Sequence, residues 1–227
     1  MSAVFKVPSE YSTISAALAA ATPVQGTVLV EAGTFKEAAP LKVAAGVTLE
    51  GRGATTILES DGTVLACADG AVRVANLSIH QCAAAAEQPC FGVEVRGKTL
   101  LDGCDISAKC KAKNACGVLA RGSAAGPTLR GCVVHDCGQA GVLLATGARV
   151  TLSETDVRDC LGQGLLVLAN CVLDATGGKV SGCAEGGLAV VGRAAASLSG
   201  CALSANGGSA GTASVSAKQG GRLVLKE

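Results

Sequence analysis

The sequence predicts an all-β fold, a parallel β-helix of about eight coils with a short N-terminal capping helix. Three observations carry this. Six glycines, Gly92, Gly117, Gly141, Gly164, Gly187 and Gly211, recur at spacings of 25, 24, 23, 23 and 24 residues. The phrases they open (FGVEVRG, CGVLARG, AGVLLATG, GGLLVLAN, GGLAVVGR) alternate apolar residues in the manner of short strands. After each comes a second run with a β-branched or leucine residue three before a Cys or Asn: Ile79/Cys82, Val134/Cys137, Val157/Cys160, Val180/Cys183 and Leu203/Asn206, with Ile106/Cys110 one longer. Helix-pair repeats need over about thirty residues, so a period in the low twenties requires two or three short strands per coil, stacked about 4.8 Å apart.

The elements follow in order. Residues 1–26 form a cap: a strand at Val4 to Val7, then a helix that starts at Ser12 or Thr13 and stops at Pro23. Ile14, Ala17, Leu18 and Ala21 make one apolar face that can cover the end of the solenoid. Residues 27–76 form irregular coils through Val28–Val30, Leu41–Val43, Val47–Leu49, Ile57–Leu58, Val64–Leu65 and Val72–Val74. Residues 77–227 form regular coils, and the whole chain, 1–227, is one domain. The last coil, GTASVSAKQGGRLVLKE, ends in a strand with no capping helix, which is expected either because Lys218, Arg222 and Lys226 blunt the edge by charge, because the chain is cut from something longer, or because a partner covers it.

Alternation from each glycine turns Val93, Val118, Val142, Leu165 and Leu188 inward, with Val95, Ala120, Leu144, Val167 and Val190. Cys104, Cys132, Thr155 and Cys201 form one inward column of small side chains, and Cys82, Cys110, Cys137, Cys160 and Cys183 form another. None of the twelve Cys makes a CxxC pair, and no basic stretch followed by an apolar one opens the chain. The expectation is therefore free, buried thiols in a cytoplasmic, reducing setting, with a cytoskeletal or axonemal assembly as one such place. A net charge of +1 with both signs dispersed, and an aromatic content of 2%, argue against nucleic acid as partner. No apolar run approaches the length of a membrane span.

The N-terminal segment, with Val7, Tyr11, Thr13-Ile14, Ala17-Leu18, VLVEAGTFKE, LKV and VTLEGRG, resembles the opening of pectin-lyase-like right-handed β-helix proteins. That opening is shared by pectin methylesterases and by non-enzymatic β-helix repeats of eukaryotic F-box and scaffold proteins. The resemblance implies a right-handed coil along the whole chain and specifies architecture far better than activity. It also implies an inner turn ladder usually made of Asn; here Cys takes most of those places and Asn206 keeps the usual residue.

Polysaccharide-active members of that fold carry an acid and a base on one sheet face. Their motifs are missing: no DFIFG or QGR, no NTD, DD, GHG or RIK set, no RxPxxR, no DPHE, and no Trp to stack on a sugar. The strongest remaining cluster is the outward column His80, Ser107, His135 and Arg158 beside Asp136 and Asp159. His135 with Asp136 or Asp159 can be drawn as an acid/base pair, and an enzyme would also draw on Asp156. His80 and His135 lie two coils apart, about 9.6 Å, too far to share a metal ion with ligand bonds of about 2 Å. No catalytic residue, cofactor or metal is assigned. The TxT grid of a surface-binding solenoid is not expected either.

The outward positions of the glycine strand read Glu94, Leu119, Leu143, Leu166, Ala189 and Ala213, then Arg96, Arg121, Ala145, Leu168, Val191 and Val215. Charge in the first coils gives way to aliphatic residues, so Leu119, Leu143, Leu166, Leu168 and Val191 are expected to form one apolar docking face for other proteins of a larger assembly. The resulting expectation is a rigid, non-catalytic interaction scaffold. A carbohydrate-active lyase, hydrolase or esterase of the pectin-lyase fold is the alternative, and glycan is the less expected partner.

Overall fold

The computed structural model describes residues 3–37, 40–84, 87–112, 115–207 and 215–226. The chain winds through three parallel sheets in the fixed order A, B, C and back to A. Sheet A has ten strands, from Val4–Val7 to Arg222–Lys226. Sheet B has eight, from Gly33–Lys36 to Ala202–Ser204, and sheet C eight, from Leu41–Val43 to Val215–Lys218. Each coil therefore holds three strands, and the sheets run through residues 27–76 in the same order as through the later coils. The strand Gly33–Lys36, which begins sheet B, has too little apolar alternation to be visible in the sequence.

The cap forms as its sequence dictates. Thr13 is extended and its hydroxyl accepts a hydrogen bond from the Ala16 N–H, which starts the helix Ile14–Ala21. Glu37 adds a second cap from sheet B, accepting from the Ile14 N–H and the Ser15 hydroxyl. Pro23 falls inside a single 3-10 turn, Thr22–Val24, that ends the helix. Ile14, Ala17, Leu18 and Ala21 are buried over the first coil.

The ten inward positions named from the alternation are all buried, in one core that runs the length of the coil. The glycines that open the sheet C strands are required by packing. A Cβ on Gly117 would meet Val134 Cγ1 at 2.7 Å and Cys137 Sγ at 2.9 Å; one on Gly164 would meet Val180 Cγ1 at 2.5 Å and Cys183 Sγ at 3.0 Å. The β-branched residue and the Cys after it thus fill the space that Gly117, Gly141 and Gly164 leave, which explains why the three recur together in these coils.

The two Cys columns mark two corners. Cys104, Cys132, Thr155 and Cys201 are the second residue of the A-to-B corner, after a residue in the left-handed region: Gly103, Gly131, Glu154 and Gly200. Cys132 Sγ and Thr155 Oγ1 donate to carbonyls of the preceding coil, Leu101 O at 3.4 Å and Leu129 O at 3.1 Å. Cys137, Cys160 and Cys183 stand at the B-to-C corner, each thiol donating to the carbonyl two residues back. Asn206, at the next place in that column, bridges coils with its amide: Oδ1 accepts from the Cys183 N–H and Nδ2 donates to Val180 O.

The last coil corrects the expected register. Gly211 and Ala213 lie outside the described residues, but Val215 pairs with Leu188 and Lys218 with Val191. Val215 is therefore an inward residue packed on the core, not the outward neighbour of Val191. The chain takes three residues more than the repeat between these coils, and an odd shift exchanges the faces of a strand.

Candidate functional site

Two outer faces carry the candidate residues. On sheet C, Glu94, Leu119, Leu143, Leu166 and Ala189 stand in register across consecutive strands. Leu168 and Val191 begin the next outward positions beyond Leu166 and Ala189, with Leu168 bonded back through its N–H to Leu144 O. The apolar row is thus real, but its centre is not bare. Leu119 is 6% exposed and Leu143 3% exposed, in a second apolar cluster outside the barrel with Cys116, Ala140, Phe91 and Leu168. Flat parallel strands set these side chains close enough to cover one another. Leu166, Leu168 and Val191 are half-buried and form the accessible part. Pro89, Phe91, Leu119, Leu143 and Leu168 line a shallow groove of about 270 Å³ there.

The row ends in charge. Glu94 Oε1 accepts from Arg96 Nε at 3.0 Å and from Arg121 Nη2 at 2.6 Å, so one carboxylate holds both guanidinium groups over the earlier coils.

On sheet B, His80, Ser107, His135 and Arg158 are in direct register across four strands. The residue that joins them is Asp105, which sequence reasoning missed. Its Oδ1 lies 3.3 Å from His80 Nε2 and 3.0 Å from His135 Nε2. Two histidines too far apart to touch are thus linked by a carboxylate on the strand between. His135 Nδ1 is also 2.8 Å from Asp136 Oδ2, so both ring nitrogens face carboxylates. Asp105 first, and Asp136 with it, raise the His135 pKa against the opposing effect of burial. His135, then His80, hold the Asp105 carboxyl well below the usual range.

Asp159 does not join His135; it pairs with Arg158 Nη1 at 2.9 Å. Asp156 stands on the same outer face, in register with Val133. Asp136 and Asp159 share an open cleft of about 270 Å³ with Lys109 and Lys111. Both ring nitrogens of His135 are thus engaged by carboxylates, whereas His80 meets this array through Nε2 alone. Cys82 and Cys137 each turn their thiol back to the carbonyl of the histidine two before, away from its ring. Among the described residues no group of three His, Cys, Asp or Glu side chains is arranged to hold a metal ion. Burial, with no cation alongside, pushes the Cys67 thiol up to about 12 and the Cys116 thiol still higher.

Sheet A carries hydroxyls on its outer face, Thr151 with Ser153, Thr176, and Ser197 with Ser199. Arg130 and Asp174 occupy equivalent places, so no Thr-x-Thr grid repeats. Asp102 is clamped there between Arg130 and Arg73, which lower its pKa in that order. No helix among the described residues is long and apolar enough to cross a membrane.

Three stacked parallel sheets joined by tight corners define a parallel β-helix protein, and among the described residues no charged side chain is buried in it. The chain belongs to the family described as right handed beta helix region, which matches residues 45–221. No curated protein matches it in sequence. Among solved structures it is similar to the A-module of the Azotobacter vinelandii mannuronan C-5 epimerase AlgE4, with 14% identity, TM-score 0.60, and 94% of this chain and 73% of that one covered. It is also similar to the ORF18 protein of Geobacillus virus E2, with 13% identity, TM-score 0.48, and 88% and 53% covered. At such identities the likeness is one of fold.

Proposed function

We propose that this chain is a rigid, non-catalytic β-helix that binds an extended protein segment along the outer face of sheet C. The observation that carries this is the second apolar cluster outside the barrel, whose half-buried margin of Leu166 and Leu168 continues the groove beside Phe91. A surface row of this kind gains about 25 cal/mol for each Å² that a partner covers. Glu94 and its two arginines fix the polar end of the groove and give a bound segment a direction. The partner would be another protein of a larger assembly. The twelve thiols, eleven of them aligned with core or corner positions or with the cover of the outer cluster, fit a reducing compartment such as the cytoplasm.

A second reading, a carbohydrate-active protein, is favoured by two observations. The epimerase A-module shares this fold over nearly the whole chain. The His80–Asp105–His135–Asp136 array is a set of linked proton-binding groups next to the cleft of Lys109 and Asp159.

One comparison separates the two. The wild-type chain and the Leu166→Glu, Leu168→Glu variant, matched for circular dichroism and melting, are cross-linked in native extract, and both are assayed on uronate polymers alongside His80→Gln. Loss of one specific cross-linked protein from the apolar-face variant, with no turnover by either chain, is the expected result. Turnover that His80→Gln removes would replace this reading by the second.

A further inference from the structure

The groove on the outer face of sheet C has one charged wall. Among the described residues that line it Arg121 alone is charged, and Phe91, Leu119, Leu143 and Leu168 make most of the rest apolar. Ala145 sits between the two. It is in register with Arg121 on one neighbouring strand, while on the other Leu168 follows the Val167 that pairs with Leu144. A methyl group between two long side chains leaves a trough above Ala145.

The charge that this wall shows to solvent is positive. Nη2 of Arg121 stands 2.6 Å from Oε1 of Glu94, yet the Glu94 side chain is only 14% exposed and that of Arg121 44%. Arg96 holds the same carboxylate, so it lies covered by two guanidinium groups. A guanidinium has five N–H donors, enough for Glu94 and for a second carboxylate arriving from solvent. Asp69, which follows the strand one coil beyond Glu94, borders the open surface that Arg96 and Arg121 share and disfavours any further anion there. The wall therefore suits one acidic group.

The spacing is set by the strands. Glu94 is one coil further from Ala145 than Arg121 is, and the Arg121 guanidinium leans toward it. That places the guanidinium between one and two strand spacings from Ala145, about 4.8 to 9.6 Å. An extended segment crossing the strands turns alternate side chains to the same face, about 6.6 Å apart, which falls within that interval. Adjacent residues of such a segment face opposite ways.

We propose that the groove takes an extended protein segment in which an aliphatic side chain, seated over Ala145, stands two residues from a carboxylate side chain, seated on Arg121. This rests on the sheet C reading and names the chemistry of its partner. Beyond Arg121 the surface continues over Gly122 and Ser123 with no wall to stop a chain, so the carboxylate is that of an internal Asp or Glu and not of a chain terminus.

Fluorescence polarisation with three labelled heptapeptides tests it on the whole chain: Ser-Leu-Ser-Leu-Ser-Asp-Ser, the same peptide with Asn for Asp, and Ser-Leu-Ser-Leu-Asp-Ser-Ser, which turns the acid to the other face. The wild type is expected to bind the first about threefold to fivefold more tightly than the other two, the reach of one exposed ion pair. Arg121→Gln is expected to bind all three alike, with the affinity that the wild type has for the Asn peptide, which also checks its fold. Leu168→Glu is expected to bind none. Equal affinities of the wild type for the three peptides would overturn the acidic partner and leave the sheet C reading standing. No binding of any peptide, or binding that Leu168→Glu leaves unchanged, would overturn both. A wild-type dimer that Leu168→Glu separates would in that case assign the groove to a second copy of the chain.

Discussion

Nε2 of His135 stands 3.0 Å from Oδ1 of Asp105 on the preceding strand of sheet B, a diagonal contact, since His135 is in direct register with Ser107. The contact shifts both groups in opposite directions. His135 binds its proton more tightly in the folded chain than in the unfolded one, so its contribution to stability is complete below about pH 6.5 and is lost as pH rises through the folded value. Asp105, with its pKa lowered, contributes above about pH 3.9 and loses that contribution as pH falls through its folded value. The two overlap in mildly acidic solution. Urea midpoints measured at steps from pH 5 to 9 are expected to decline for the wild type and to decline less for His135→Gln. An identical slope in the two chains would show that this contact does not govern the decline.

The imidazole itself reports the same link. In Asp105→Asn the strongest cause of the His135 shift is gone, so its NMR titration midpoint is expected to fall toward that of an ordinary histidine, held up only by Asp136. An unmoved midpoint would mean that Asp136 alone sets it.

The coil was legible because its causes are periodic. Val118, Val142 and Leu165 face inward because a strand alternates, and Gly141 and Gly164 recur because Val157 and Val180 pack against them. Asp105 escaped notice for a different reason. Its neighbours at the same outward position are Ser78, Val133 and Asp156, so no column marks it, and its role depends on side-chain reach between coils. Val215 was misplaced because a three-residue excess in one turn leaves no trace in composition. Leu143 was placed on the correct face but not seen to be covered, since cover comes from neighbours such as Leu119 and Ala140 that a one-dimensional pattern cannot weigh.

Gly164 tests the packing between strand and corner. Gly164→Ala puts a methyl group 2.5 Å from Val180 Cγ1 and 2.8 Å from Gly187 O, and overpacking of this kind costs about 1–3 kcal/mol. Val180→Ala removes the nearest of the three obstacles, the third being Cys183 Sγ at 3.0 Å, so the same glycine substitution is expected to cost less in that background. Thermal denaturation of the four chains gives the coupling, and costs that simply add would show the valine to be irrelevant.

The thiols divide by exposure. Cys82 and Cys201 are half-exposed, while the other ten are buried, with Cys67, Cys116 and Cys160 all pushed up in pKa. A brief exposure of the native chain to a neutral maleimide is expected to label Cys82 and Cys201, and labelling in denaturant to reach all twelve. Rapid native labelling of Cys160, which lies between Cys137 and Cys183, would mean that the corner ladder opens far more readily than its packing allows.

The outer cluster of sheet C must contribute to folding in proportion to its cover, whatever it binds. Leu143 is 3% exposed, although it stands outside the barrel, and Leu166 in the next coil is half-buried. Truncation of a buried leucine costs about 2–5 kcal/mol, because transfer and cavity terms add, whereas a half-exposed one collapses into solvent without a full cavity. Leu143→Ala is therefore expected to shift the urea midpoint more than Leu166→Ala, with the slope unchanged in both. Equal shifts would mean that the face is uniformly open and that the whole row, not just its margin at Leu166 and Leu168, awaits a partner. The expected inequality would limit the proposed docking surface to that margin, so Leu166 and Leu168 are the positions at which the proposal can be tested with the coil intact.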